Sequence, residues 1–121
     1  MTETLPIGLE GEQTFTVTRE MSPAHLPVPV LSTPTMVQLI EQTCLISVQP
    51  LLAEGQTTVG THICVSHVKA AAEGQDVVVH SRLAEINKRR LTFEVTVDGP
   101  AGRLSEGTHQ RAVVDFRQMG G

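Results

Sequence analysis

Thr33-Pro34 opens the one stretch of this chain with convincing helical spacing, and that stretch is apolar around most of its girth. Thr suits the capping position of a helix, and Pro suits the first helical position, where no backbone N–H is needed. Met36, Leu39, Ile40, Thr43, Cys44 and Ser47 then recur at helical spacing, with Val37 and Val48 widening the stripe. Pro50 disrupts the last turn and Glu54-Gly55 closes it. A helix apolar over so much of its circumference has to be largely buried. The rest of the chain must therefore be built around it.

Every other periodic stretch has the period of a strand. Gln13 to Thr18 alternates apolar and polar residues, and the closely spaced prolines of Ser22 to Pro29 make a stiff, extended approach to the helix. Beyond the helix, Thr57 to Ala70 is rich in β-branched residues, and three more strand-like runs follow: Asp76 to Ile86, Leu91 to Val97 and Arg103 to Phe116. Turn signals at Glu73-Gly74, Asn87-Lys88-Arg89-Arg90 and Asp98 to Gly102 separate them, and such short connections favour antiparallel hairpins. Strand, one long apolar helix, then four strands predicts an α+β hot-dog fold, one central helix wrapped by an antiparallel β-sheet. A β-barrel with an accessory helix would leave the all-round apolar helix unexplained. At 121 residues the whole chain, 1–121, is expected to form a single domain.

Three Phe and no Trp or Tyr mean that the core is made of Val, Leu, Ile, Met and Ala. A domain this small buries about two-thirds of its unfolded surface, so homodimerisation would help it. A net charge of −4, with no basic stripe or aromatic platform, argues against a nucleic-acid partner. Cys44 and Cys64 lie inside apolar patterns without CxxC spacing and read as buried free thiols of a reducing compartment. With no signal-like N-terminus and no run of membrane-spanning length, a cytoplasmic protein without membrane contact is expected.

Glu41 stands in the helix among Leu39, Ile40, Val37 and Leu45; a carboxylate beside a buried face needs a partner, unless it turns to solvent with Gln38 and Gln42. Thr33 is accounted for as a cap, yet its hydroxyl at a helix N-terminus also suits developing negative charge. Eight residues separate the two, about 12 Å along the axis, so they cannot touch. His67 falls on one strand face with Thr61, Ile63 and Val65, either as a structural imidazole or as an acid–base group. A hydroxyl, a carboxylate and an imidazole can together run acyl transfer without metal or redox cofactor. No pair of His25, His62, His67, His80 and His109 has the HxH or HxxxH spacing of a metal site, and none is expected. Gly60 reads as a strand bend or as a close approach of backbone to ligand. Arg89, Arg90 and Arg111 read either as solvated cations or as ligands for phosphate.

Four blocks, in order, carry a resemblance: the helix start through Glu41-Gln42-Thr43-Cys44, the strand Gly60 to His67, the turn Arg89-Arg90-Leu91, and Gly107 to Val113. From about Phe15 to Phe116 the chain resembles hot-dog thioesterases of the fluoroacetyl-CoA thioesterase type. The resemblance implies a homodimer, or a dimer of dimers, with acyl-CoA sites at the subunit interface and coenzyme A entering only as part of the substrate. It places Thr33, Glu41 and His67 at the family's catalytic positions and Gly60 where backbone contacts the acyl group. Glu41 would then serve as nucleophile or as general base through water. The segment between His25-Leu26 and Thr33 is shorter than in the fluoroacetyl-specific enzyme, with prolines in place of an aromatic cover, so selectivity for fluoroacetate is not expected to carry over, and the acyl group is left open between another short one and a bulkier one. The leading expectation is hydrolysis of a small acyl-CoA. The alternatives are a non-catalytic acyl-CoA-binding or regulatory module, and a dehydratase of the same fold.

Overall fold

The computed structural model describes residues 5–119. Its regular elements are β1 (Glu10–Thr16), α1 (Thr33–Val48), β2 (Gln56–Val65), β3 (Asp76–Asn87), β4 (Arg90–Gly99) and β5 (Gly102–Asp115). The strands form one sheet in the order β1-β3-β4-β5-β2, antiparallel at every pairing, and α1 lies against its inner face. This is the hot-dog arrangement expected from the element order. Alternation explains the sheet: Val77, Val79 and Leu83 on β3, and Leu91, Phe93, Val95 and Val97 on β4, send every second side chain inward. They meet Met36, Leu39, Ile40, Cys44 and Val48 of α1. Each such buried side chain stabilises the fold by about 1.5–3 kcal/mol.

Five details depart from the expectation. The cap of α1 is Ser32, whose Oγ accepts from the Thr35 N–H at 3.2 Å, and Thr33 is already inside the helix. Two capping hydroxyls in succession look alike in sequence; the extended backbone at Ser32 decides between them. The β2 strand ends at Val65, not Ala70, and β1 starts earlier than Gln13 and stops at Thr16. Beyond Val65 the chain stays tethered through Ser66 N–H to the Glu106 carbonyl and Val68 N–H to the Leu104 carbonyl, without regular pairing. The helix is covered on one side only, leaving Ile46 47% exposed. Of the two free cysteines only Cys44 is buried, while Cys64 is exposed on the edge strand. Among the described residues no helix is long and apolar enough to cross a membrane.

Two connections set the site. The segment leading into α1 is held by Leu31 N–H to the Ala71 carbonyl at 2.8 Å and by a bridge between Val30 and Ala72. The start of the helix is thereby drawn beside the chain that follows β2. At Gly107 the strands β2 and β5 approach closely: a Cβ there would collide with the Cys64 carbonyl and come within 2.8 Å of Val65 Cα. Gly107→Ala is expected to destabilise the protein by about 1–3 kcal/mol, read as a lower denaturant midpoint; an unchanged midpoint would mean that β2 yields freely at its end.

Candidate active site

Thr33 stands in the first turn of α1, its hydroxyl not needed as a cap because Ser32 fills that role. Its Oγ1 lies 2.8 Å from Nδ1 of His67. Both line a cavity of about 340 Å³ with apolar walls that include Leu26, Val30 and Leu31. The sequence placed His67 on a strand face; it sits two residues past the strand, brought to Thr33 by the tether between residues 30–31 and 71–72.

Glu41 is two turns further along the helix and lines a different cavity, also about 340 Å³, with Gly60, Thr61, His62, Ile63 and His109. Its carboxylate does not turn away to solvent beside Gln38 and Gln42. It is half-exposed and lies 3.6 Å from Nη1 of Arg111. Within one chain the structure therefore brings together Thr33 with His67, and Glu41 with Gly60, but not the two pairs with each other.

Arg111 differs most from expectation. Read as a surface cation for phosphate, it is only 5% exposed. Its Nε donates to Thr58 Oγ1 at 2.6 Å, Nη2 to the Thr58 carbonyl at 2.9 Å, and Nη1 to Nε2 of His109 at 3.1 Å. A guanidinium so enclosed cannot reach a phosphate in solvent; it faces the Glu41 end of the site. Burial pulls Arg111 below its ordinary value, with the charge of Glu41 opposing. The signal was present in the strand pattern, since His109 and Arg111 share parity with the inward Val113.

His109 was passed over as one imidazole among five. It is 1% exposed, stacks on Phe93 with ring centroids 6.5 Å apart, and holds the His62 carbonyl through Nδ1 at 2.7 Å. That carbonyl belongs to an irregularity in β2, where the register against β5 shifts between Gly60 and His62. Bulges re-aim side chains beside functional sites. Here the bulge leaves Gly60, Thr61, His62 and Ile63 all exposed on the edge strand.

Gly60 does more than bend the strand. A Cβ at that position would stand 2.8 Å from Oε1 of Glu41, 3.4 Å from Cε1 of His109 and 3.5 Å from Nη1 of Arg111. Arg89 and Arg90 lie at the rim of a larger cavity of about 760 Å³, shared with Thr61, His62, Asn87 and Gln110. Thr61 and His62 line both this cavity and that of Glu41, while Gln110 and Ala112 of the larger cavity alternate along β5 with the inward His109 and Arg111. Burial pushes the Cys44 thiol up to about 12, so it stays a neutral core group. Among the described residues no three His, Cys, Asp or Glu side chains gather as a metal site would require.

Comparison with known proteins bears on this geometry. The family model of the fluoroacetyl-CoA-specific thioesterase, FlK, matches residues 12–117. A fluoroacetyl-CoA thioesterase from Streptantibioticus cattleyicolor is 36% identical over 99 residues, which cover 81% of this chain and 71% of that protein. A solved structure of the fluoroacetyl-CoA thioesterase FlK has a TM-score of 0.89 and 29% identity, covering 94% of this chain and 91% of the other. A hot-dog-like protein from Thermanaerovibrio acidaminovorans, 21% identical, shares the fold with a TM-score of 0.86 over 99% of this chain and 97% of its own.

Two outcomes follow from the packing. In Gly60→Ala the flexible Glu41 carboxylate is the group able to move aside, so the fold should survive while the carboxylate is displaced from Arg111. Near-native thermal stability with a marked fall in whatever turnover the site supports is expected; full turnover would show that Glu41 need not approach Gly60. Separately, His109 is held below its ordinary value of 6.5, first by burial and then by the charge of Arg111, with the His62 carbonyl and the Glu41 charge opposing. The unfolded chain then binds a proton that the folded chain refuses. Stability from this residue is present above pH 6.5 and is lost as pH falls toward the folded value, by at most about 1.4 kcal/mol per pH unit. Denaturant titrations from pH 7.5 to 5 should show a shallower decline in His109→Gln.

Proposed function

Because the chain belongs to the fluoroacetyl-CoA-specific thioesterase family, it is a thioester hydrolase, and we propose that it cleaves a small acyl-CoA with water to the free acid and coenzyme A. Glu41, His67 and Thr33 are the catalytic groups of this reading, with no resident cofactor. The observation that carries it is the carboxylate of Glu41, held between a buried guanidinium and a glycine on the wall of a cavity lined also by Thr61, His62 and His109.

Hydrolysis adds water across the C–S bond, and the hardest step is attack at the carbonyl carbon. Glu41 acts there as nucleophile or as base to the attacking water; both roles need a carboxylate held in one place. The tetrahedral intermediate places charge on the carbonyl oxygen, and the N-terminal turn of α1 at Thr33 suits that charge. His67, with Thr33 Oγ1 on its Nδ1, keeps its Nε2 edge for proton transfer to the departing thiolate. Gly60 brings backbone close to the acyl group. Arg89 and Arg90 take the phosphates of the nucleotide, and Arg111 serves the acyl end of the substrate site in place of the phosphate end.

The second half of the reading is a homodimer acting in the cytoplasm. One chain leaves Thr33–His67 and Glu41 in separate cavities, and it leaves Ile46 on α1 and Ile63 on β2 uncovered. A second copy against that face would bury these residues and complete the acyl site. Free thiols at Cys44 and Cys64 accord with a reducing compartment.

Thiol release from a panel of acyl-CoAs, short to medium chain and aromatic, with fluoroacetyl-CoA included, tests the proposal. Turnover is expected for at least one, falling by about 10²-fold or more in Glu41→Ala and in His67→Ala with the fold retained. Undiminished turnover in both variants would remove these residues from the chemistry. Silence across the panel, with coenzyme A still bound in calorimetry, would turn the site into a binding module.

A further inference from the structure

Arg111 always donates, since a guanidinium carries no acceptor. Its Nη1 lies 3.1 Å from Nε2 of His109, so Nε2 must be the accepting nitrogen. The ring proton is therefore on Nδ1, where it is donated to the His62 carbonyl at 2.7 Å. A ring with protons on both nitrogens would turn an N–H toward Arg111 and lose that bond. The tautomer follows from the partners alone. Its consequence is a continuous path: the His62 carbonyl on the bulge, the His109 ring, the Arg111 guanidinium, then the Glu41 carboxylate at 3.6 Å.

Each link bears on where Glu41 stands. Thr58 fixes the Nε and Nη2 side of the guanidinium. Only the Nη1 corner points at the carboxylate, and His109 is the acceptor that orients that corner. Through Nδ1 the same ring also meets the His62 carbonyl beside the register shift in β2. The Phe93 ring stacks against the imidazole, with centroids 6.5 Å apart.

We propose that His109 is a positioning residue of the hydrolytic site, holding the Arg111 guanidinium in the arrangement that aims Glu41 at the substrate. It touches neither substrate nor reacting atoms in this role. The inference rests on the thioesterase reading for its kinetics, while its geometric content stands on the tautomer and the guanidinium.

Two substitutions divide the ring's two bonds. In His109→Gln the side-chain amide oxygen falls where Nε2 was and still accepts from Arg111. In His109→Asn the amide N–H falls where Nδ1 was and still donates to the His62 carbonyl, but Arg111 loses its acceptor. The expected result is a fall in kcat of about 10- to 100-fold for His109→Asn with KM nearly unchanged, and substantial rescue by His109→Gln. In parallel, the side-chain ¹⁵N–¹H resonances of Arg111 should stay sharp in the native protein and in His109→Gln, and broaden in His109→Asn. Equal losses in both variants, or Arg111 resonances unaltered in His109→Asn, would overturn the proposal. If neither variant folds, the native protein still decides: ¹⁵N shifts of the His109 ring at pH 7 must report the Nδ1–H form, and the Nε2–H form or an imidazolium defeats the idea. A native protein that releases no thiol would refute the hydrolytic role, and the resonances would then show whether the relay itself exists.

Discussion

A guanidinium enclosed in a small apolar fold is the constraint on which the site depends. Taking such a charge out of water costs several kcal/mol unless its donors are met and a counter-charge is near. Thr58 meets two donors of Arg111, His109 meets a third, and Glu41 supplies the charge. These partners come from β2, β5 and α1, so satisfying one side chain fixes how edge strand, inner strand and helix stand relative to one another. Gly60 lies opposite Arg111 in the β2–β5 ladder, and the register slips directly after it. The slip is where the sheet adapts to the cation behind it.

Glu41 is accounted for by this chain of causes. A helical carboxylate beside Leu39 and Ile40 would be a liability if it faced the core, and merely solvated if it faced away. The glycine opposite gives it room, and the arginine gives it a fixed partner on its inner side. The outer side remains open to a cavity. A carboxylate held from behind and free in front is what a reaction at a carbonyl carbon requires.

Much of the fold was legible before any coordinates, because periods of 3.6 and 2 are written in residues such as Met36, Ile40 and Cys44, or Val77 and Val79. Less of the site was. Ser32 and Thr33 are equally good caps by residue type, and only the turn of the backbone separates them. Thr57 to Ala70 looks like one strand, but β-branched content does not reveal where a pairing partner runs out, and it runs out at Val65. Because β2 ends at Val65, parity counted from Thr61 carried no information about His67. Arg111 was misread for a different reason. Charge suggested solvent, while its parity with Val113 on β5 already pointed inward. The pattern outweighed the residue type, as it does whenever a buried ion has partners enough.

The shift of the cap by one residue has a consequence for how this fold can change over time. Ser32 ties down the helix N-terminus, and Met36 N–H reaches the Ser32 carbonyl at 2.9 Å without help from the neighbouring side chain. The residue that follows is thereby released from architectural duty. Position 33 sits at the mouth of an apolar cavity, in a helical turn that does not need its hydroxyl to exist. A substitution at Thr33 therefore changes the site without first taking the scaffold apart.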